Sequence, residues 1–228
     1  MEAIVLAGGL GTRLRQAVAD VPKPMAPIGE RPFLEILLAS LAQRGFSRVV
    51  LSLGFMAKTI SSHFGNRFKG MDVVYVVEEE PLGTGGALRL ALEECKQDHV
   101  FVFNGDTFVD FNVQELERHW QINRNLIVVG NHVTDVSRYG KLVVDGLKII
   151  DFVEKGVAGT GLINAGTYVV QRDSLVRFPL NEPFSFEQEY LINEIKSGLV
   201  EVFVTEGLFI DIGVPEDYEM AQTLLGKL

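Results

Sequence analysis

The sequence predicts an α/β fold with a three-layer arrangement around a mixed, mainly parallel central sheet. Short apolar runs without charges recur along the chain, and amphipathic segments separate them. Strands that are apolar on both faces and alternate with helices are typical of a parallel sheet covered on both sides. The chain has 228 residues, of which 47% are hydrophobic and 22% charged, enough for one full core. An intrinsically disordered protein is therefore excluded.

The first half of the chain alternates between strands and helices. Phe33–Gln43 has apolar residues at the spacing of a helix face, and Gly45 follows as a stop signal. The other predicted helices of this half are Lys58–Phe64, Gly85–Cys95 and Val113–Asn123. The predicted strands are Ile4–Leu6, Val49–Leu53, Val73–Val77, Val100–Phe103 and Leu126–Val129.

After about residue 130 the pattern changes to short strands with fewer helices. Gly146 separates two of these strands as a hairpin turn would require. A helix begins at Ser185 with a capping-box pattern, and a last helix begins at Pro215, followed by acidic residues. The predicted strands of this half are Gly140–Val144, Lys148–Val153, Ile163–Gln171, Val200–Val204 and Phe209–Asp211. We expect one α/β domain with a more antiparallel second half.

Charge and composition exclude several partners. With 21 Lys+Arg against 30 Asp+Glu the formal net charge is −9, which argues against nucleic acid and acidic membrane surfaces. A phosphorylated small molecule held by a few local cations stays compatible with this charge. No stretch is long and apolar enough for a membrane span, and the N-terminus lacks the basic region of a signal peptide. The single cysteine, Cys95, permits no internal disulfide, so we expect a cytoplasmic protein.

A glycine-rich loop, Leu6–Arg13, follows the first predicted strand. Its glycines, Gly8, Gly9 and Gly11, let backbone amides point inward as a cradle for phosphate oxygens. A turn that needs glycine only for packing is the alternative. Leu14 stands where the dinucleotide-binding pattern needs glycine, and no Gly-Lys-Ser/Thr occurs, so neither a dehydrogenase nor a P-loop enzyme is supported.

Charged residues at three further positions complete a candidate site. Pro22 and Pro24 stiffen the backbone around Lys23, and a rigid lysine near a phosphate cradle suits a polyphosphate. Asp106 and Asp211 each follow an apolar strand, where open α/β sheets bind ligands. The alternatives are a solvated lysine and turn-forming aspartates. The four histidines show no zinc spacing, and no Gly-x-Ser-x-Gly nucleophile motif occurs.

Taken together, these segments and others resemble the sugar-1-phosphate nucleotidyltransferases. The resemblance covers nearly the whole chain, and its blocks stand in the family's order. They are Leu6–Leu14, Pro22–Met25, Pro81–Ala87, Asn104–Thr107, Val153–Lys155, Asn164–Tyr168 and Asp211–Tyr218.

The resemblance implies a Rossmann-like nucleotidyltransferase fold with a small antiparallel sugar-binding region. It implies one domain over residues 1–228, with residues 1–130 mainly binding nucleotide and residues 131–228 mainly binding the sugar phosphate. It also implies that a nucleoside triphosphate and a sugar 1-phosphate react to form an NDP-sugar and pyrophosphate, with Mg²⁺ as cofactor.

The resemblance assigns roles residue by residue. The catalytic positions are Arg13, Lys23 and Asp106, and the metal ligands are Asp106 and Asp211. The nucleotide-binding positions are Leu6, Ala7, Gly8, Gly9, Gly11, Thr12, Arg13, Glu78 and Gly83. The sugar-phosphate-binding positions are Gly140, Glu154, Lys155 and Asn164. The usual proline after the Glu-Lys pair is replaced by Gly156, which leaves the pose of that loop open. The structural alternatives are a surface ion pair of Glu154 with Lys155 and a turn cap at Asn164.

Glu78 bears on the choice of base. Many thymidylyl- and uridylyltransferases of this family have a glutamine at this position. A carboxylate only accepts hydrogen bonds, which suits the N1–H and N2–H₂ donors of guanine. We therefore expect GTP.

The identity of the sugar substrate is expected from the resemblance alone. The runs Lys23–Ile28, Gly83–Ala87, Phe184–Glu187 and Ile210–Tyr218 are similar to bacterial heptose 1-phosphate guanylyltransferases, which supply GDP-heptose for surface polysaccharides. The alternatives are a mannose 1-phosphate guanylyltransferase, a uridylyltransferase for a hexose or N-acetylmuramate 1-phosphate, and a catalytically silent sensor subunit. Because the sequence shows no hexapeptide repeats, we do not expect a bifunctional acyltransferase, and a homodimer is compatible with the sequence.

Overall fold

The computed structural model describes residues 1–9, 11, 14, 18, 21–153, 156 and 158–226. A 3₁₀ turn, Lys23–Met25, and a π-helical turn, Phe186–Leu191, accompany the helices. The helices are α1 (Phe33–Gln43), α2 (Ala57–Phe64), α3 (Gly83–Leu92), α4 (Val113–Asn123), α5 (Ile192–Lys196) and α6 (Pro215–Leu224). The strands are β1 (Glu2–Leu6), β2 (Pro27–Ile28), β3 (Arg31–Pro32), β4 (Arg48–Leu53), β5 (Arg67–Phe68), β6 (Met71–Val77), β7 (His99–Asn104), β8 (Thr107–Val109), β9 (Leu126–Val133), β10 (Lys141–Asp145), β11 (Lys148–Val153), β12 (Gly161–Gln171), β13 (Val200–Thr205) and β14 (Phe209–Asp211).

A single ten-stranded sheet in the order β10-β11-β13-β9-β12-β7-β1-β4-β6-β5 forms the middle layer. Its strands β6, β4, β1 and β7 are parallel neighbours. The sheet grows outward from β1 in both directions, to β4 on one side and to β7 on the other. In an open α/β sheet such a switch point opens a crevice at the carboxyl ends of the two flanking strands. The ends of β1 and β7, at Leu6 and Asn104, therefore face the crevice where a ligand is expected.

The second half of the chain continues the same sheet with a more antiparallel pairing. β12 runs antiparallel to both β7 and β9, and β10 and β11 form a hairpin. β10 also pairs with β12 at Lys141 and Ile163. The predicted change of pattern after about residue 130 is confirmed. The division into a nucleotide half and a sugar half at that residue stays a prediction, and the residue lies within β9.

Apolar side chains fill the space on both faces of the sheet. On β1, Ala3 and Val5 join the core on one face and Ile4 joins the core on the other. Helices α1, α2, α4 and α6 cover the first face, while α3, α5 and the π-helical turn cover the second. The predicted three-layer α/β class is confirmed, and the strands read as continuous apolar runs because both of their faces are buried.

The predicted helix Gly85–Cys95 is wrong at both ends. The helix begins at Gly83 and ends at Leu92. Glu93, Glu94 and Cys95 instead donate backbone hydrogen bonds to the carbonyl oxygens three residues earlier, which tightens the last turn. Cys95 lies three residues beyond the helix end and is buried in the core on the second face of the sheet. Among the described residues, no helix is long and apolar enough to cross a membrane.

The predicted cap at Ser185 is confirmed with one change. The Ser185 hydroxyl accepts a hydrogen bond from the Gln188 amide at 3.2 Å. In return, the Ser185 amide donates to the Glu189 carboxylate at 2.8 Å, one residue later than a capping box requires. The wider π-helical turn that starts here explains this shift, because it moves each following side chain further round the axis.

Candidate active site

A cavity of about 620 Å³ opens at the carboxyl ends of β1, β4 and β7. This volume is in the range of small-molecule sites. The described members of the predicted nucleotide-binding set all line it: Leu6, Ala7, Gly8, Gly9, Gly11, Glu78 and Gly83. Lys23 and Asp106 line it as well. The structure therefore brings together residues that are up to 100 positions apart in the sequence.

Glycines allow the three strand ends to approach one another closely. A Cβ atom on Gly54 would lie 2.9 Å from the Gly8 carbonyl oxygen, and one on Gly105 would lie 2.8 Å from the Leu6 carbonyl oxygen. The Gly105 amide donates to that same oxygen at 2.8 Å. Any larger residue at Gly54 or Gly105 would push the β4 or β7 end away from the loop after β1.

Lys23 lies between the two predicted metal ligands. Its ammonium nitrogen is 2.5 Å from Asp106 Oδ2 and 3.8 Å from Asp211 Oδ1, and its side chain is only 11% exposed. Pro22 precedes the 3₁₀ turn that Lys23 begins, and Pro24 follows Lys23 within that turn and is buried. The rigid presentation that the sequence predicted therefore places one cation against two carboxylates.

Pairing of β8 with β14 holds the two aspartates side by side. Thr107 faces Asp211 across this ribbon, and the Ile212 amide donates to the Asp106 carbonyl oxygen at 3.0 Å. The Gly213 amide donates to Asp211 Oδ1 at 2.8 Å. Burial, together with the neighbouring Asp106 charge, raises the pKa of Asp211, although Lys23 opposes the shift. The two neighbouring carboxylates thus concentrate negative charge, which a cation bound between them would stabilise.

The donor set fits a divalent cation that shares its coordination with phosphate oxygens. Among the described residues, no cluster of three or more His, Cys, Asp and Glu side chains could hold a metal alone. Mg²⁺ is typically held by one or two carboxylates plus phosphates and water. Asp106 and Asp211 meet that requirement, and the Lys23 ammonium marks the position between them as one suited to positive charge.

Glu78 lies over the glycine-rich loop. Its Oε2 accepts the Leu82 amide at 2.8 Å, and a Cβ atom on Gly8 would come within 2.7 Å of its Oε1. Burial raises the pKa of Glu78, and the Leu82 hydrogen bond opposes that shift. The carboxylate is therefore fixed at the cavity wall, where it can face a ligand, and Gly8 leaves room for it.

A second cavity of about 400 Å³ adjoins the first and shares Asn104 with it. Two predicted sugar-site residues, Gly140 and Asn164, line it. The backbone amide of Asn164 donates to the Gly140 carbonyl oxygen at 2.9 Å. Asp211 lines this cavity and Asp106 lines the first. The Lys23–Asp106–Asp211 group therefore stands at the junction of two sites.

Four predicted site residues, Thr12, Arg13, Glu154 and Lys155, lie outside the described residues. The structure also brings in residues that the sequence reasoning missed. These residues line the second cavity and include Tyr139, Phe152, Tyr168, Ser185, Glu187 and Gln188. Two of the resembling runs, Asn164–Tyr168 and Phe184–Glu187, were signals for Tyr168, Ser185 and Glu187.

Comparison with known proteins identifies the class that this fold and site define. The family model described as Nucleotidyl transferase matches residues 2–227. The chain belongs to the nucleotidyl transferase family, which confirms the resemblance seen in its motifs.

Particular relatives are similar along their whole length. The D-glycero-alpha-D-manno-heptose 1-phosphate guanylyltransferase of Aneurinibacillus thermoaerophilus is 40% identical over 223 residues, covering 97% of each chain. The protein of the same description from Campylobacter jejuni is 41% identical over 220 residues, covering 96% of this chain and 97% of its own. The crystal structure of HddC from Yersinia pseudotuberculosis complexed with GMP-PN matches at a TM-score of 0.87 with 38% identity, covering 97% of this chain and 98% of that one.

The raised pKa of Asp211 leads to a prediction for stability. A folded state that holds this proton more tightly than the unfolded chain loses stability as the pH rises from about 4 through the raised pKa. The ionised Asp211 therefore opposes folding at neutral pH. We expect Asp211→Asn to raise the Tm of the substrate-free protein at pH 7, with a gain that shrinks towards pH 4. Thermal unfolding from pH 4 to 7 measures this.

Asp110 provides the matched control for that measurement. It is 2.7 Å from Arg44 and largely exposed, and it lines neither of the two cavities described above. We expect Asp110→Asn to give no such gain at pH 7. A Tm of Asp211→Asn below that of the unmodified protein at pH 7 would contradict the assignment.

Proposed function

We propose that the protein transfers a guanylyl group from GTP to D-glycero-α-D-manno-heptose 1-phosphate, forming GDP-heptose and pyrophosphate. The observation that carries this proposal is the junction of two adjacent cavities at Lys23, Asp106 and Asp211. Such a junction suits a phosphate-to-phosphate transfer between two bound substrates. The whole-length similarity to heptose 1-phosphate guanylyltransferases supports this pair of substrates.

In the proposed mechanism, an oxygen of the sugar 1-phosphate attacks the α-phosphorus of GTP. A new O–P bond forms, the bond between the α-phosphorus and the bridging oxygen breaks, and pyrophosphate leaves with the electron pair. The nucleophile is already ionised at neutral pH, so no general base is needed. Catalysis then depends on alignment and on stabilising charge in the transition state.

The residues of this chain have separate tasks in that mechanism. Lys23 balances charge near the α-phosphate, and the amides of the glycine-rich loop hold the triphosphate. Asp106 and Asp211 would hold Mg²⁺, which neutralises phosphate charge when bound. The family resemblance adds Arg13 at the triphosphate and Lys155 at the incoming phosphate, both outside the described residues.

The product implies a wider role. A nucleotide-activated heptose is a donor for surface polysaccharides such as capsule or lipopolysaccharide. We place the reaction in the cytoplasm, because the single cysteine and the nucleoside triphosphate substrate both suit a reducing compartment where nucleotides are made.

One assay tests the proposed function. Pyrophosphate release is measured with Mg²⁺ across GTP, UTP, dTTP, CTP and ATP, each combined with heptose, mannose, glucose and N-acetylmuramate 1-phosphates. We expect the highest kcat/KM for GTP with heptose 1-phosphate. A higher kcat/KM with mannose 1-phosphate or with UTP would show that the protein uses those substrates instead. The absence of pyrophosphate release from every pair would overturn the enzymatic function.

Asp106 should be required for turnover but not for folding. We expect Asp106→Ala to lower kcat by at least about 100-fold, because the variant loses a carboxylate that would hold Mg²⁺ and that positions Lys23, and electrostatic stabilisation of a transition state contributes about 10²–10³ in other enzymes. Asp110→Ala, which removes a carboxylate four positions away outside both cavities, serves as the control. The measurement is pyrophosphate release, with circular dichroism to show that both variants are folded. Near-normal release from Asp106→Ala would remove Asp106 from the mechanism.

Glu78 should set the preference for guanine. A glutamine offers both a donor and an acceptor, whereas the carboxylate only accepts the N1–H and N2–H₂ groups. We expect Glu78→Gln to lower kcat/KM for GTP by about 10-fold or more. The ratio of kcat/KM with GTP to kcat/KM with UTP should therefore decrease. Glu79→Gln, the neighbouring carboxylate, is the control. An unchanged ratio in Glu78→Gln would show that other groups read the base.

A further inference from the structure

Glu187 occupies a position in the second cavity that no predicted role explains. It lies in the π-helical turn and lines the cavity together with Tyr168 and Ser185. Its Oε2 accepts hydrogen bonds from the hydroxyls of Thr84 at 2.7 Å and Ser185 at 3.2 Å. Its Oε1 accepts only the Tyr168 hydroxyl, at 3.4 Å, among the described residues. The carboxylate is thus surrounded by hydroxyl groups.

The neighbours of Glu187 are fixed by their own hydrogen bonds. Asn164 Oδ1 accepts the Gly166 amide at 3.0 Å, so its Nδ2 faces the Tyr168 hydroxyl oxygen and donates to it at 2.8 Å. Burial and the nearby Glu187 charge raise the pKa of Tyr168 well above its usual value. Tyr168 therefore keeps its proton and directs it to Glu187. Asn164 positions this pair, and its Oδ1 is already used.

Glu187 has capacity for a further hydrogen bond. A carboxylate can accept about four hydrogen bonds, and three donors reach this one, the one on Oε1 at a long distance. Among the described residues, no Lys, Arg or His forms an ion pair with it. An anionic acceptor with free capacity, set among hydroxyl donors in a cavity, suits a polyhydroxylated ligand.

The charges in the cavity orient such a ligand. Lys23 stands at the junction with the first cavity, where the phosphate of a sugar 1-phosphate would lie for the reaction. The Glu187 charge repels that phosphate and disfavours the reverse orientation. The sugar ring therefore extends towards Glu187, with its hydroxyl groups available as donors.

We propose that Glu187 is a specificity-determining residue whose Oε1 accepts a hydrogen bond from one ring hydroxyl of the sugar 1-phosphate. This inference rests on the proposed function. Since Oε2 is held by Thr84, which lies on α3 and lines the first cavity, the same carboxylate also ties the sugar site to the helix beside the nucleotide site.

The test compares heptose 1-phosphate with its 2-, 3- and 4-deoxy analogues. The unmodified protein should disfavour one analogue by about 10- to 100-fold in kcat/KM, the range for a lost hydrogen bond to a charged group. In Glu187→Ala, the ratio of kcat/KM for heptose 1-phosphate to kcat/KM for that analogue should fall to about one. The KM for heptose 1-phosphate should rise by about 10-fold or more, while the KM for GTP changes less than about twofold.

Glu189→Ala is the matched control. Glu189 lies in the same turn, accepts the Ser185 amide and is exposed outside the second cavity. We expect it to keep the full discrimination between the analogues. If Glu187→Ala does not fold, Glu187→Gln is used instead. This variant replaces a charge-assisted hydrogen bond by a neutral one, which should reduce the kcat/KM ratio between heptose 1-phosphate and the disfavoured analogue by about fivefold or more.

The outcomes separate the two proposals. Full discrimination retained in a folded Glu187 variant overturns the role of Glu187 and leaves the proposed function standing. An unmodified protein that accepts every deoxy analogue equally also overturns the role of Glu187. No pyrophosphate release by the unmodified protein with any sugar 1-phosphate overturns the proposed function, and the role of Glu187 with it.

Discussion

The arrangement of the site depends on one cation held between two carboxylates. Without Lys23, Asp106 and Asp211 would stand side by side with uncompensated charge, and burial together with the Asp106 charge already raises the pKa of Asp211. The backbone fixes all three positions: prolines flank Lys23, and the pairing of β8 with β14 joins the aspartates. Because each cavity includes one of the two aspartates, this group sets where the two ligands meet.

The overall charge of the protein contrasts with its proposed ligands. A chain of net charge −9 is expected to repel polyanions, and both proposed substrates carry phosphate groups. The contradiction is resolved locally. Lys23 and the glycine-rich loop line the first cavity, and the Glu78 carboxylate there is held by the Leu82 amide. Net charge is therefore expected to disfavour extended polyanions, whereas the local placement of Lys23 is compatible with the small phosphorylated substrates proposed above.

Sequence reasoning predicted the elements whose signals are local. Both α1 and α4 have the predicted bounds, because amphipathic spacing and stop signals are contained within a dozen residues. Asp106 could also be predicted, since it follows β7 at the edge of the sheet where open α/β sheets bind ligands. Asp211 lies instead on the separate β8–β14 ribbon, and the pairing of that ribbon brings it beside Asp106. The role of Glu187 could not be predicted from the sequence. Its partner Thr84 is 103 residues away, and the contact depends on how the π-helical turn packs on α3. The end of α3 was missed because a tight turn continues the apolar spacing of a helix.

The stereochemical course at phosphorus tests the central claim, direct attack of one bound substrate on the other. GTPαS of defined configuration at the α-phosphorus is turned over with heptose 1-phosphate, and the configuration of the GDPαS-heptose product is determined. A single in-line displacement inverts the α-phosphorus, and inversion is the predicted result. Retention would require two displacements through a covalent enzyme intermediate and would contradict a mechanism built on two adjacent cavities and the Lys23–Asp106–Asp211 group.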